Sequence, residues 1–577
     1  MKKEFSLSRD KAMINFTAKY CVTSEALLDS YGFKKVLGTY IKRIKKRDCG
    51  IYNYIVNCID NDDDVLMDCI VTLFKLLVVL DVDSIKKIDA RYACLLKDTE
   101  KFVELIEGLY NFWRKIERYT IVHNKRIGDG LQNVSFIEAN YNFTKLVLDT
   151  YRKIEETVLG YNHKVYRQLS AGGNVGLILN DIKGNCPEEY SFLNAVPFVD
   201  SILLQTPFIS YPKRNKRSGI FKEEFKNPLE GLSINADHWF CFPIKVGELL
   251  AYVYFHRDFM TQGVSLSNLF EIAREEEYNG KKPDIIYVYG IRDNNNEMKT
   301  VFYKDKSNDI ILGYANHNED IDYFGYMKKM LLTIHNIKMI ESGYIPIHGA
   351  MVNITMKNGK TANVIIMGDS GAGKSESLEA FRQLSEDYIK DMTIIFDDMG
   401  VVKIEKENEL RAYGTEIGAF VRLDDLDVGY AYKNIDRSIF MNPDKINARV
   451  IIPVASYSEI MRGYPVDIFL YANNYEEGEE IQFFNTPEEA IPVFKAGARM
   501  AKGTTTEKGL VTSYFANPFG PVQRKEEMDK LLEKYFNKFY ENNVKVGVIR
   551  TCLGIDGKEK EGPRKAAVKL FELIKSL

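Results

Sequence analysis

The chain has 577 residues, 45% of them apolar and 28% charged, and a formal net charge of −3. A chain this long needs more than one core, roughly two to four domains, and its composition is that of an ordinary soluble protein. The near-neutral charge excludes a general nucleic-acid or membrane-surface binder, because no global positive field draws polyanions in.

Residues 1–125 read as helical throughout. Ser24 suits the N-cap of a helix through Leu27, Leu28, Tyr31, Val36 and Ile41. The basic run from Lys42 to Arg47 complements the C-terminus of that helix. Asp63–Leu80 is apolar nearly all round, the pattern of a central helix, and Asp68, Lys75 and Asp81 argue against a membrane span. A third helix is expected from Asp98 to about Val122, with Phe102, Leu105, Ile106, Leu109, Phe112 and Trp113 at helical spacing. No residue here carries chemistry, so a scaffold or a surface for a protein partner is expected.

The eight cysteines (Cys21, Cys49, Cys58, Cys69, Cys94, Cys186, Cys241, Cys552) are scattered without a C-x-x-C pair, which reads as reduced thiols in a cytoplasmic protein. The first ten residues lack the apolar run of a secretory signal, in line with that compartment.

Residues 126–320 are expected to form an α+β domain. A helical stretch from Phe136 to about Leu169 is followed by a hairpin over Trp239–His256 and strands at Ile285–Tyr289 and Ile310–Tyr314. A basic loop spans Lys213 to Gly219. It reads either as a solvated loop or as a place where Arg214 or Arg217 meets an anionic substrate, since guanidinium forks match carboxylate and phosphate.

Residues 321–577 alternate strand and helix: a helix over Asp322–Ile337, strands at His348–Ile354, Val364–Met367, Thr393–Phe396, Arg449–Val454, Ile468–Tyr471 and Val544–Ile549, and helices near 487–501 and 522–541. The apolar run Val364–Met367 leads into Gly368-Asp369-Ser370-Gly371-Ala372-Gly373-Lys374-Ser375, a G-x-x-x-x-G-K-S pattern that opens into helix. Gly368, Gly371 and Gly373 can take positive φ, so that backbone N–H groups point into one concavity closed by a helix N-terminus. Lys374 would reach the terminal phosphates of a nucleoside triphosphate, and the Ser375 hydroxyl would hold Mg²⁺. The fold class is therefore α/β, with a C-terminal P-loop mononucleotide-binding domain on a mixed sheet. Asp397 and Asp398 end the next strand, where such enzymes hold Mg²⁺ or orient the attacking group.

This segment resembles the P-loop superfamily of phosphoenolpyruvate carboxykinase and HPr kinase/phosphorylase. Ile347-His348-Gly349-Ala350-Met351-Val352, the glycine-rich run and Asp397-Asp398 look like HPr kinase. Tyr323-Phe324-Gly325-Tyr326-Met327-Lys328-Lys329, Asn447-Ala448-Arg449-Val450-Ile451-Ile452-Pro453 and the segments 502–509 and 514–520 are similar to ATP-type phosphoenolpyruvate carboxykinase. The resemblance implies a metal-binding lysine and histidine at Lys329 and His348, which with Asp398 would hold Mn²⁺. It also implies an arginine bridging nucleotide and substrate at Arg449, and Lys508 where the family places an arginine on the base. The family's glycine-arginine-serine-proline-lysine-aspartate stretch for the substrate carboxylate has no counterpart, which leaves Arg214 and Arg217 as the nearest candidates.

Three readings follow. The first is a lyase/kinase converting oxaloacetate and ATP, with GTP left open, into phosphoenolpyruvate, CO₂ and ADP. The second is an HPr-kinase-like enzyme that phosphorylates a hydroxyl on a protein or small molecule, with Asp397 or Asp398 as base. The third is a nucleotide-binding regulatory module.

Overall fold

The structure, a computed structural model, describes residues 4–8, 10–16, 21–46, 50–60, 62–124, 131–162, 171–180, 184–369, 371–384, 388–423, 432–501 and 509–576. It is mixed α/β and divides into two compact units, Met1–Asp181 with Val199–Gln205, and Ile182–Phe198 with Thr206–Leu577.

In the first unit, helices surround a small sheet. The Asp63–Val79 helix is central, as its pattern implies, and buries Leu66, Ile70, Leu73 and Leu77. Asp62 caps it by accepting from the N–H groups of Asp64 and Val65. The helix expected to start at Ser24 is two, Ser24–Asp29 capped by Thr23 and Tyr31–Lys46, because Ser30 is extended between them.

An all-helical reading of residues 1–125 is corrected by strands at Phe5–Ser8, Lys11–Asn15 and Glu117–Asn124. The Thr99–Lys115 helix stops seven residues short of Val122, and the β-branched run Thr120-Ile121-Val122 joins a sheet between Lys11–Asn15 and Val175–Asn180. Arg118 makes the switch abrupt. Its buried guanidinium donates to the carbonyls of Trp113, Arg114, Ile116 and Gly172, taking up the orphan acceptors of the helix end. The expectation of reduced thiols also fails for one pair. Cys58, ending the Gly50–Cys58 helix, is bonded to Cys94 in the Ala90–Leu95 helix, which packs against it. A separation of 36 residues hides in sequence what helix packing brings together.

In the second unit, one sheet runs in the order Tyr464–Pro465, Leu410–Gly414, Met399–Ile404, Ile345–Met356, Thr361–Met367, Ile468–Asn473, Lys545–Arg550 and Ile481–Phe483. Its Thr361–Met367, Ile468–Asn473 and Lys545–Arg550 strands are parallel and nearly continuous in buried apolar residues, as sheets covered on both faces are. The helices Phe324–Glu341, Lys374–Leu384, Lys525–Glu541 and Glu561–Ser576 pack around it. A smaller sheet orders Gly418–Arg422, Arg449–Pro453, Ile439–Met441 and Phe208–Ser210. Elsewhere in this unit the hairpin Trp239–Val246/Leu249–His256 continues through Ile285–Ile291, Ile310–Asn316 and Thr300–Asp305.

Candidate functional site

The Phe324–Glu341 helix is buried nearly throughout, yet it carries two adjacent lysines. Lys328 has no exposed side-chain surface, and its ammonium lies 2.7 Å from Asp398 Oδ2 and 3.0 Å from Glu416 Oε1. Lys329 reaches the same Asp398 oxygen at 2.5 Å and keeps a little exposure.

Asp398 is placed by a break in a strand. Residues of Ile389–Phe396 pair with Met351–Met356, and Met399–Val402 pair with Ile345–His348 on the same neighbour. The intervening Asp397-Asp398 step leaves the ladder and re-aims its side chains, as a bulge does. The Asp398 carbonyl still accepts from the Gly349 N–H at 3.1 Å. A side chain at Gly349 would meet the Ile366 carbonyl oxygen at 2.6 Å, so this close approach requires glycine.

His348 completes the group. Its Nδ1 stands 2.6 Å from the Ala516 carbonyl, an acceptor only, so the proton sits on Nδ1. Its Nε2 faces Asp398 Oδ1 at 3.0 Å. A ring nitrogen with its partner N–H tied to a carbonyl, a carboxylate and a lysine nitrogen at one point is a donor set that fits a divalent transition ion such as Mn²⁺.

Burial sets the charges here. It holds the Lys329 ammonium below the ordinary lysine value against the pull of Asp398. It would do the same to Lys328, but Asp398 and Glu416 together raise that group. Burial also opposes the Asp398 charge, yet Lys328, Lys329 and His348 keep its carboxyl well below the usual range. Asp397 is pushed up by burial and by Asp398 beside it, and burial lifts Glu416 to about 7.

The glycine-rich turn touches this group directly: the Gly368 N–H donates to the His348 carbonyl at 3.0 Å. Gly371 and Gly373 take φ of +82° and +92°. Gly368 does not; it is small because Ala372 and Ala472 press on it. Thr551 and Asn474, outside the turn, pin the carbonyls of Ala372 and Gly371. The Lys374 ammonium rests on the carbonyls of Gly368 and Asp369, at 2.7 and 3.2 Å. Asp369 pairs with Arg499 at 2.9 Å, a buried arginine that no motif singles out. Ser370, the Ser375 side chain and Lys508 lie outside the described residues.

Two phenyl rings space further cations around the site. Lys329 lies 4.6 Å and Arg217 5.3 Å from the centroid of Phe519; Arg449 lies 5.3 Å and Lys328 5.7 Å from that of Phe420. Arg214 is elsewhere, in a half-exposed pair with Asp320 at 2.7 Å. Arg449 Nε is buried without a hydrogen-bond partner, and Arg449 stands directly across the ladder from Arg422. Like charges in facing positions cost free energy unless an anion sits between them. Arg422, Lys328 and Glu416 were not marked by any sequence motif; only the doubled lysine in Met327-Lys328-Lys329 hinted at one of them.

No protein-family model matches the chain, and no curated protein matches it.

Proposed function

We propose that the second unit is a metal-dependent phosphotransferase resembling phosphoenolpyruvate carboxykinase, with a P-loop at 368–375. The observation that carries this reading is the meeting of Lys329, His348 and Asp398 at one point, one hydrogen bond away from the glycine-rich turn.

In this reading the turn's N–H groups and the start of the Lys374–Leu384 helix hold the phosphates, and Lys374 leaves its carbonyl partners to reach them. Lys329, His348 and Asp398 would hold Mn²⁺, and Mg²⁺ would accompany the nucleotide; when bound, the two ions would offset phosphate charge and polarise oxygen. Arg217 receives the carboxylate of oxaloacetate, in place of the missing arginine stretch. Loss of CO₂ leaves the enolate of pyruvate, whose oxygen takes the γ-phosphoryl group to give phosphoenolpyruvate and ADP. Lys328 and Arg449 stabilise the charge that develops on the way.

A second reading rests on Asp397. A carboxyl raised by burial beside a nucleotide site is suited to take a proton from an attacking hydroxyl, as in an HPr-kinase-like enzyme.

The test is to give the purified chain ATP, Mg²⁺ and Mn²⁺ with oxaloacetate and follow phosphoenolpyruvate. Product that disappears in Lys374→Ala supports the first reading. ADP formed without oxaloacetate, with label transferred to a hydroxyl acceptor, replaces it by the second. Nucleotide binding without turnover leaves the regulatory module.

A further inference from the structure

A second cluster of donor side chains lies outside the site above. The strands Leu249–His256 and Ile310–Asn316 both pair in parallel with Ile285–Ile291, so they end at the same edge of the sheet. His256 is the last residue of one strand, and His317 follows the other directly. Asp258 comes two residues after His256. Carboxyl ends of neighbouring parallel strands are where open α/β sheets bind ligands. Gly290 on the middle strand has a φ of +92°, and a side chain there would meet the Phe259 ring at 2.5 Å and His256 Cβ at 3.2 Å. The backbone is shaped to let the imidazoles close in.

The donor atoms of His256, Asp258 and His317 lie within 4.8 Å of one another. Asp258 Oδ2 is 2.9 Å from His317 Nε2 and 3.4 Å from His256 Nδ1. The Asp258 N–H donates to that same Nδ1 at 3.2 Å, so in the neutral ring Nδ1 bears the lone pair. A lone-pair nitrogen and a carboxylate oxygen therefore face each other, an arrangement that a cation relieves. His238 stands edge-on to His256 with ring centroids 5.9 Å apart. Arg292 approaches Asp258 Oδ2 only to 3.9 Å and is largely exposed, so its opposition to a cation is screened.

We propose that His256, Asp258 and His317 bind a divalent first-row transition-metal ion, with a remaining position open to water. Two imidazoles and one carboxylate are a set used for zinc and for non-haem iron, and they are too few in oxygen for calcium or magnesium.

The test uses the full chain carrying His348→Gln, which silences the other metal group, stripped with chelator and titrated with Co²⁺. One equivalent is expected to bind with visible ligand-field bands, and Asp258→Asn is expected to weaken it by about 100-fold or more. His317→Cys is expected to keep binding and add a near-ultraviolet sulfur-to-cobalt charge-transfer band. The gain is read against the His348→Gln parent with circular dichroism matched, because misfolding would expose the chain's other free thiols. Absence of Co²⁺ binding to the His348→Gln chain overturns the proposal, and so does Co²⁺ binding to His317→Cys without the new band. Neither result bears on phosphoryl transfer, because the assay reads no turnover.

Discussion

Lys328 and Lys329, neighbours on one helix, bring both ammonium groups to the same oxygen of Asp398, at 2.7 and 2.5 Å. Two buried cations on one oxygen repel each other; burial lowers the Lys329 group, whereas Asp398 and Glu416 outweigh burial at Lys328 and raise it. The arrangement suits a site in which one lysine gives up its proton and becomes a ligand, while the other stays charged.

Asp398→Asn removes the shared partner. Lys328 then keeps only Glu416, and folding stability is expected to drop by about 3 kcal/mol, the scale for stranding a buried charge. Under the proposed function, Mn²⁺-dependent turnover should also fall by at least about 100-fold, because Asp398 is one of the three proposed ligands. Urea unfolding and steady-state kinetics check the two effects. An unchanged midpoint would mean that the lysines are not held as described.

Arg217 and Arg214, close in sequence, should separate in function. Arg217→Ala is expected to reduce kcat/KM for an anionic acceptor by about 100-fold, the cost of stranding a buried anionic group. Arg214→Ala breaks only a surface pair with Asp320 and should change it by no more than about three-fold. Equal effects would remove the Phe519-side arginine from the site.

His335 gives a pH signature of stability. Burial in the Phe324–Glu341 helix, against the Gly247-Glu248 turn and near Lys403, lowers its pKa from 6.5 to about 4. A base whose folded pKa is depressed contributes its full stability above the unfolded value, and that contribution is lost as pH falls from 6.5 toward 4. The loss should reach about 3 kcal/mol at the low end. Urea midpoints of the wild type and His335→Gln across this window should converge as pH falls. Parallel curves would contradict the assignment.

In the first unit, Arg118→Ala leaves the carbonyls of Trp113, Arg114, Ile116 and Gly172 without their shared donor. Stability should fall by about 3 kcal/mol or more, with Arg118→Lys recovering only part, since an ammonium cannot span the fork. Chemical denaturation with both variants tests this; full recovery by lysine would show that charge, not geometry, matters.

The parts of the fold that could be read from sequence are those in which one local pattern settles the outcome. The apolar run before Gly368, the helical spacing around Phe102 and the alternation around Gly247 needed no tertiary information. The Glu117–Asn124 strand was hidden because Tyr119, Thr120 and Ile121 also fit a continuing helix, and only the neighbouring strands decide between them. In the site, the family resemblance marked Lys329, His348 and Arg449, and the strand end after the glycine-rich run marked Asp397 and Asp398; Lys329 and His348 meet Asp398, and Arg449 lies over Phe420. Lys328, Glu416, Arg422 and Arg499 carry no local signal. Their environment is made by segments up to 130 residues apart, as in the Arg499–Asp369 pair.

Phe420 and Phe519 act as uncharged partitions in a crowded electrostatic compartment. Each presents a polarisable face to two cations, one a lysine already paired with Asp398 and the other an arginine. Under the proposed function, altering the bulk of either ring would retune which anion is admitted, without adding or deleting a single charge.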